Sequence, residues 1–271
     1  MISLTASTEL FKIWGFSVQT WGSIVALGII IGIVLMLVEA KKRKLYDLSI
    51  SILAYMMVLG LIFGRIAYIL VNLNQFQTFF SLFEIWKGGI ISWGVLLGVI
   101  AGILIFKWMN KITFKQIFEL ADLMAPYLIL AVAIGRIGCF LRGCCFGIPT
   151  ALPWGLVYSG NDLLPALYLG KGLHPTELYH SIADFIIFFV LLKLYKKREK
   201  LKQVNAKSRF TFFNKSGNIF LLFIMLYSAE RFFIDFLRYH PANEYLLGIT
   251  ITQIIFATLF MVSLFLTKRK I

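Results

Sequence analysis

The sequence predicts an all-α polytopic membrane protein of about seven transmembrane helices, with its N-terminus outside and its C-terminus cytoplasmic. Three observations predict it. Hydrophobic residues make up 59% of the 271, and mean hydropathy is +0.83, too apolar for a soluble domain. Seven apolar runs approach the roughly 20 residues that cross a bilayer. Basic residues gather in alternate connections, the asymmetry that sets membrane orientation.

The first run, Thr20–Val38, carries Gly28 and Gly32 at the four-residue spacing of close helix packing. Residues Met1 to Val18 lack a basic segment ahead of an apolar core, so no cleaved signal peptide is expected. Lys41, Lys42, Arg43 and Lys44 follow the first run, and Ile50–Leu70 is the second. The third, Gly89–Phe106, repeats the packing pattern at Gly94, Gly98 and Gly102. Lys107, Lys111 and Lys115 separate it from the fourth, Leu120–Phe140. Leu178–Leu194 and Asn218–Phe236 are the fifth and sixth, with a densely basic connection from Lys196 to Lys215 between them. In that connection Phe210-Thr211-Phe212-Phe213 reads as an interfacial anchor. Leu246–Leu266 is the seventh, and Lys268, Arg269 and Lys270 close the chain. No Pro/Ser linker divides the sequence, so residues 1–271 read as a single integral-membrane domain. The net charge of +14 is thus accounted for by topology and by attraction to anionic lipid, not by nucleic acid.

The stretch Gly135-Arg136-Ile137-Gly138-Cys139-Phe140-Leu141-Arg142-Gly143-Cys144-Cys145-Phe146-Gly147 places an arginine near the end of an apolar run. A guanidinium at that depth needs an anionic partner. With the fourth run leading outward, Arg136 sits about 4 residues, roughly 6 Å, below its outer end. Arg231 in the sixth run and Arg65 in the second lie at similar depths, and Trp21 and Trp93 enter from the same surface. Acidic residues are scarce locally; Asp235, four residues after Arg231, is placed to hold that guanidinium, and Tyr227, four before it, shares the face. Arginine's planar fork matches phosphate oxygens bidentately, so an anionic phospholipid headgroup is the expected ligand of Arg136 and Arg231. Arg65 reads equally well as a side chain snorkelling to water. The cysteines, Cys139, Cys144 and Cys145, are the only three and share one loop. A Cys139–Cys144 disulfide, a thiol relay and plain packing in a tight glycine loop are all open. The spacing fits no common zinc motif, even with His174, and neither metal nor cofactor is expected.

These segments resemble the bacterial phosphatidylglycerol–prolipoprotein diacylglyceryl transferase family over nearly the whole chain. Gly135, Arg136, Gly138, Phe140 and Gly147 match its signature loop. Gly64-Arg65-Ile66-Ala67-Tyr68, Asp122-Leu123-Met124-Ala125-Pro126, Pro153-Trp154-Gly155-Leu156-Val157 and His174-Pro175-Thr176-Glu177-Leu178-Tyr179 resemble further family segments in order. The run from Tyr227 to Arg238 is similar to its sixth-span motif, and Gln253 falls at its last-span turn.

The resemblance implies transfer of the diacylglyceryl group of phosphatidylglycerol to the lipobox cysteine of an exported prolipoprotein, at the outer leaflet of a bacterial plasma membrane. It implies that Arg136 binds the phosphate, that Arg231 assists, and that Tyr227 lies beside the scissile bond. Gly138, Gly147, Arg65 and Trp93 would complete the headgroup site, with Cys139, Cys144, Asp235 and Gln253 around it. A monomer is expected. The chain departs from the family pattern where Trp93 replaces a histidine, Trp21 a tyrosine, Cys139 and Arg142 asparagines, Cys144 a glutamate and Asp235 a longer carboxylate. The departures fall on the proton-handling half, leaving His174 as a candidate base or a loop-ordering hydrogen bonder. Two other readings stay open: a headgroup-displacing transferase with a different acceptor, and a non-enzymatic phospholipid or anion carrier. The carrier reading predicts an inverted repeat and a midplane site, and the sequence has neither.

Overall fold

Apolar runs with no polar face form helices throughout, because in lipid only a helix satisfies its own backbone. The computed structural model describes residues 2–5, 9–13, 16–73, 89–159, 163–203, 215–246 and 248–269; the expected anchor at Phe210–Phe213 lies outside them. Among these residues the long helices are α1 Thr20–Lys42, α2 Tyr46–Val71, α3 Ser92–Asn110, α4 Phe114–Arg142, α5 Thr176–Gln203, α6 Asn218–Asp235 and α7 Ile251–Arg269. Six are long and apolar enough to cross a membrane. The exception, α6, carries Glu230, Arg231 and Asp235; the last two are buried.

The fifth helix runs past the expected Leu194 to Gln203, and two helix starts differ from expectation for one shared reason. The fourth helix begins at Phe114 and the seventh at Ile251, because each is opened by a reciprocal cap. The Thr113 backbone N–H donates to Gln116 Oε1 at 2.9 Å and the Gln116 N–H to Thr113 Oγ1 at 3.3 Å. Thr250 and Gln253 do the same at 3.0 Å in each direction. Residues Tyr245–Leu246 and Ile249–Thr250, expected to be partly helical, form a short antiparallel hairpin instead, with Gly248 at φ +81° in its turn.

The chain divides into two compact units, Leu37–Leu120 and Met1–Met36 with Ala121–Ile271. In the first, α2 and α3 pack through the expected glycines: a Cβ on Gly98 would meet the Leu59 carbonyl oxygen at 2.2 Å. A cluster of Ile52, Phe106, Ile112, Ile117 and Leu120 fills one end.

In the second unit α1 lies on α4, where a Cβ on Gly32 would meet the Tyr127 carbonyl oxygen at 2.8 Å. Asp122 ties three helices together at one end. Its Oδ2 accepts from Arg198 at 2.5 Å and from the Gly217 N–H at 2.6 Å, and its Oδ1 accepts from the Phe220 N–H at 2.8 Å. A fully buried carboxylate thereby serves both an arginine of α5 and the free donors of the α6 N-terminus.

At the opposite end of α4, residues 143–159, 163–175, 236–246 and 248–250 make a small cap. Strand Ile2–Thr5 pairs in parallel with Leu156–Ser159, and Phe146, Leu156, Tyr158, Leu164 and Leu173 form its core. The loop after α4 is laced on both sides. The Gly147 N–H donates to His174 O at 2.9 Å, the Ile148 N–H to Leu237 O at 2.9 Å, and the Tyr239 N–H to Phe146 O at 3.1 Å. That lacing brings the ends of α4 and α6 and the start of α5 to one place.

Candidate active site

Gly147 makes the lacing possible. A Cβ there would stand 2.5 Å from Leu237 O and 2.6 Å from His174 Cβ, so no larger residue fits. Gly138 does the same work for α1 and α4: its Cβ would lie 3.2 Å from both Ile24 Cβ and Trp21 O. Both predicted glycines therefore act through backbone approach.

Arg136, from α4, is half-buried and makes no hydrogen bond or ion pair with the described residues. Its charge acts on Tyr227, Cys139, Cys145 and Asp184. Arg231, from α6, is buried and lies near Arg136, Arg238 and Tyr227. Its Nη1 donates to His180 Nε2 at 2.7 Å, and its guanidinium lies 5.9 Å over the Phe256 ring. Tyr227 sits between Phe223 and Phe256, with ring centroids 6.0 and 5.6 Å away. Arg136, Arg231 and Tyr227 are thus brought together, with one guanidinium held by the protein and the other available.

Asp235 does not hold Arg231, as the i,i+4 spacing suggested. Its Oδ1 pairs with His240 Nε2 at 2.9 Å and its Oδ2 accepts from Thr250 Oγ1 at 2.5 Å. The short aspartate reaches these cap residues just beyond its own helix end, and His240 passes the network on to Glu244 at 2.7 Å. Gln253, through its cap on Thr250, joins the same structural network.

The expected scarcity of acids is also corrected. Asp184 of α5 and Glu230 of α6 are packed into the cluster beside Arg136 and Arg231. His180 Nδ1 contacts Glu230 Oε1. Arginine can only donate, so His180 Nε2 is the acceptor and Nδ1 carries the proton toward Glu230. Neither Asp184 oxygen has a hydrogen-bond partner among the described residues. His180 and Asp184 escaped sequence reasoning, and Glu230 and Arg238 were read only as members of the sixth-run segment, without a role. The signal was there: two ionisable residues one turn apart inside an apolar run mark a functional site in a membrane helix.

His174 lies apart from the cations. Its Nδ1 meets Tyr179 Oη at 3.2 Å, and that hydroxyl accepts from Trp154 Nε1 at 2.8 Å. Burial lowers its pKa from 6.5. Arg65 and Trp93 belong to the other unit. Arg65 is buried, donating to Gly89 O at 3.2 Å, and Trp93 stands 52% exposed at the start of α3.

The three cysteines are free thiols whose sulfurs lie within 4.8 Å of one another, so the Cys139–Cys144 disulfide is not formed here. Hydrogen bonds from Cys139 and Cys144, then the charges of Arg238 and Arg136, hold the Cys145 thiol well below its ordinary pKa. Hydrogen bonding with Cys139 and Cys145 pushes Cys144 up.

Residues 8–268 match the family model described as prolipoprotein diacylglyceryl transferase. The chain belongs to that family. Similar proteins named phosphatidylglycerol–prolipoprotein diacylglyceryl transferase occur in Clostridium tetani, at 30% identity over 236 residues, covering 87% of this chain and 86% of that protein. One from Acaryochloris marina is 35% identical over 233 residues, 85% and 79% of the two chains. One from Thermotoga maritima is 28% identical over 237 residues, 86% and 74%. Membership accounts for the order of the sequence motifs.

Proposed function

We propose that this protein transfers the diacylglyceryl group of phosphatidylglycerol to the lipobox cysteine of a prolipoprotein at the outer leaflet of a bacterial plasma membrane. The observation that carries the reading is Arg136: a half-buried guanidinium without a hydrogen-bond or ion-pair partner among the described residues, beside Arg231 and Tyr227. A phosphodiester satisfies it bidentately.

The reaction is displacement at the glyceryl CH2. The acceptor sulfur forms the C–S bond, the C–O bond breaks, and glycerol phosphate leaves with the electron pair. Negative charge grows on the phosphate as the bond opens. Arg136 and Arg231, fixed in a poorly hydrated cluster, stabilise that growing charge more than the bound diester. His180 orients Arg231 through the bond between Nε2 and the guanidinium. Gly138 and Gly147 shape the backbone around the headgroup, and the protein acts as a single-domain monomer. Positive-inside asymmetry supports the outward orientation; an impermeant amine reagent reaching Lys200 from outside would refute it.

The direct test is incubation of the purified protein with phosphatidylglycerol and a lipobox peptide, followed by mass spectrometry. A thioether-linked diacylglyceryl adduct forms on the peptide and not on its Cys→Ser version. Arg136→Ala lowers the rate roughly 10²- to 10³-fold, the size of losing one preorganised charge donor. Adduct on a different acceptor would instead favour the reading in which Trp93, Cys139 and Cys144 reflect a changed acceptor.

A further inference from the structure

The proposed reaction needs a thiolate. What stands beside the arginines is a cluster of three sulfurs.

Adjacent residues of a regular strand point to opposite faces, so Cys144 and Cys145 in ordinary backbone would diverge. Here Gly143 and Cys145 both take left-handed conformations, at φ 69° and 67°. For cysteine that is an uncommon conformation, held by the surroundings rather than by preference. The Thr176 hydroxyl donates to Cys145 O at 2.7 Å, and the Cys144 N–H donates to Cys139 O at 3.1 Å. The outcome is that three thiols from two segments lie within 4.8 Å of each other. A Zn–S bond of about 2.3 Å sets tetrahedral sulfurs about 3.8 Å apart, so closure onto an ion needs a shift of about 1 Å at most. Cys139 is 8% exposed and closes the back of the cluster, while Cys144 and Cys145 are half-buried and leave the front open. The charges of Arg238 and Arg136 act on Cys145, providing the compensation that three thiolates around a divalent ion require.

We propose that Cys139, Cys144 and Cys145 form a three-sulfur site for a thiophilic divalent ion of the zinc class, whose open fourth position takes the acceptor thiol. This rests on the transferase reading above. Three protein ligands with one open position is the arrangement of catalytic zinc, and soft sulfur donors select such ions. The acceptor thiol binds the ion as thiolate and releases its proton to water. Its sulfur then attacks the glyceryl CH2 while Arg136 holds the phosphate, and the electron pair of the broken C–O bond leaves with glycerol phosphate.

The test uses the full chain, purified in detergent, reduced and stripped of metal. Added Co2+ binds one per chain with a sulfur-to-cobalt charge-transfer band, and Zn2+ displaces it. A lipobox peptide then changes the band, and its Cys→Ser version does not. Cys144→Ser and Cys145→Ser each weaken Zn2+ binding by more than the roughly 10- to 100-fold typical of an outer-shell loss. Absence of the band in the wild type, with all three thiols open to alkylation or with the loss of two hydrogens that marks a disulfide, overturns the site. A band that the peptide leaves unchanged overturns the role in acceptor binding. Full transfer by metal-stripped protein overturns this assignment and leaves the transferase reading standing. A peptide-responsive band without any transfer supports the site and counts against the transferase reading alone.

Discussion

Arg231 Nη1 and His180 Nε2 are 2.7 Å apart, a bond joining α6 to α5 inside the cluster of arginines and carboxylates. It decides which imidazole nitrogen is protonated and fixes where one of two neighbouring guanidinia points. Residues 51 positions apart are thereby made into one unit.

His180→Phe removes the acceptor of a buried arginine, costing about 1–3 kcal/mol. If Arg231 stabilises the leaving phosphate, transfer falls roughly 5- to 150-fold. His180→Gln, which can still accept from Arg231, recovers part of the loss. Initial rates for the three proteins, with unfolding temperatures as a control, check this.

Asp122 is a structural device remote from that cluster's chemistry. Asp122→Ala leaves buried Arg198 with Glu199 alone to pair with and two N–H donors without their acceptor, so stability falls by about 3–5 kcal/mol. Thermal unfolding in detergent reads the loss. The Arg198→Met, Asp122→Leu pair loses less than Asp122→Ala, because an apolar replacement leaves no bare charge.

Gly147→Ala puts a methyl 2.5 Å from the Leu237 carbonyl oxygen and 2.6 Å from His174 Cβ. Overpacking of that kind costs about 1–3 kcal/mol. Gly22→Ala is the comparison, since its nearest neighbour is at 4.0 Å, and it changes stability by no more than about 0.5 kcal/mol. Unfolding midpoints of the two variants should separate accordingly.

His174 supplies a pH dependence. Burial lowers its folded pKa below the 6.5 of a free side chain, so the unfolded chain binds that proton more readily. Its contribution is complete above about pH 6.5 and is lost as pH falls from there toward the folded pKa. Stability of the wild type relative to His174→Gln therefore declines on acidification through that window. Equal slopes in paired thermal melts across the range would refute it.

Much of the scaffold was legible because its causes are local. A run such as Thr20–Val38 has no polar face to present to water, and the four-residue glycine spacings sit directly where backbones meet. Helix starts were less legible: Thr113 and Thr250 extend or trim helices through caps that hydropathy does not register. Asp235 misled for a related reason. Sequence spacing placed it near Arg231, but a short carboxylate at a helix end found His240 and Thr250 in the segment that follows.

By itself, the sequence determined the membrane class, the number of long helices, the family and the identity of Arg136 as the unusual charge, because burial cost and periodicity are read within one run of residues. Tertiary structure alone decided that Arg136 has no hydrogen-bond partner among the described residues, that His180, itself against Glu230, holds Arg231, and that three cysteines converge. Those outcomes depend on α4, α5 and α6 being drawn to one place by the lacing around Gly147, and no local pattern encodes which side chains such a convergence brings within bonding distance.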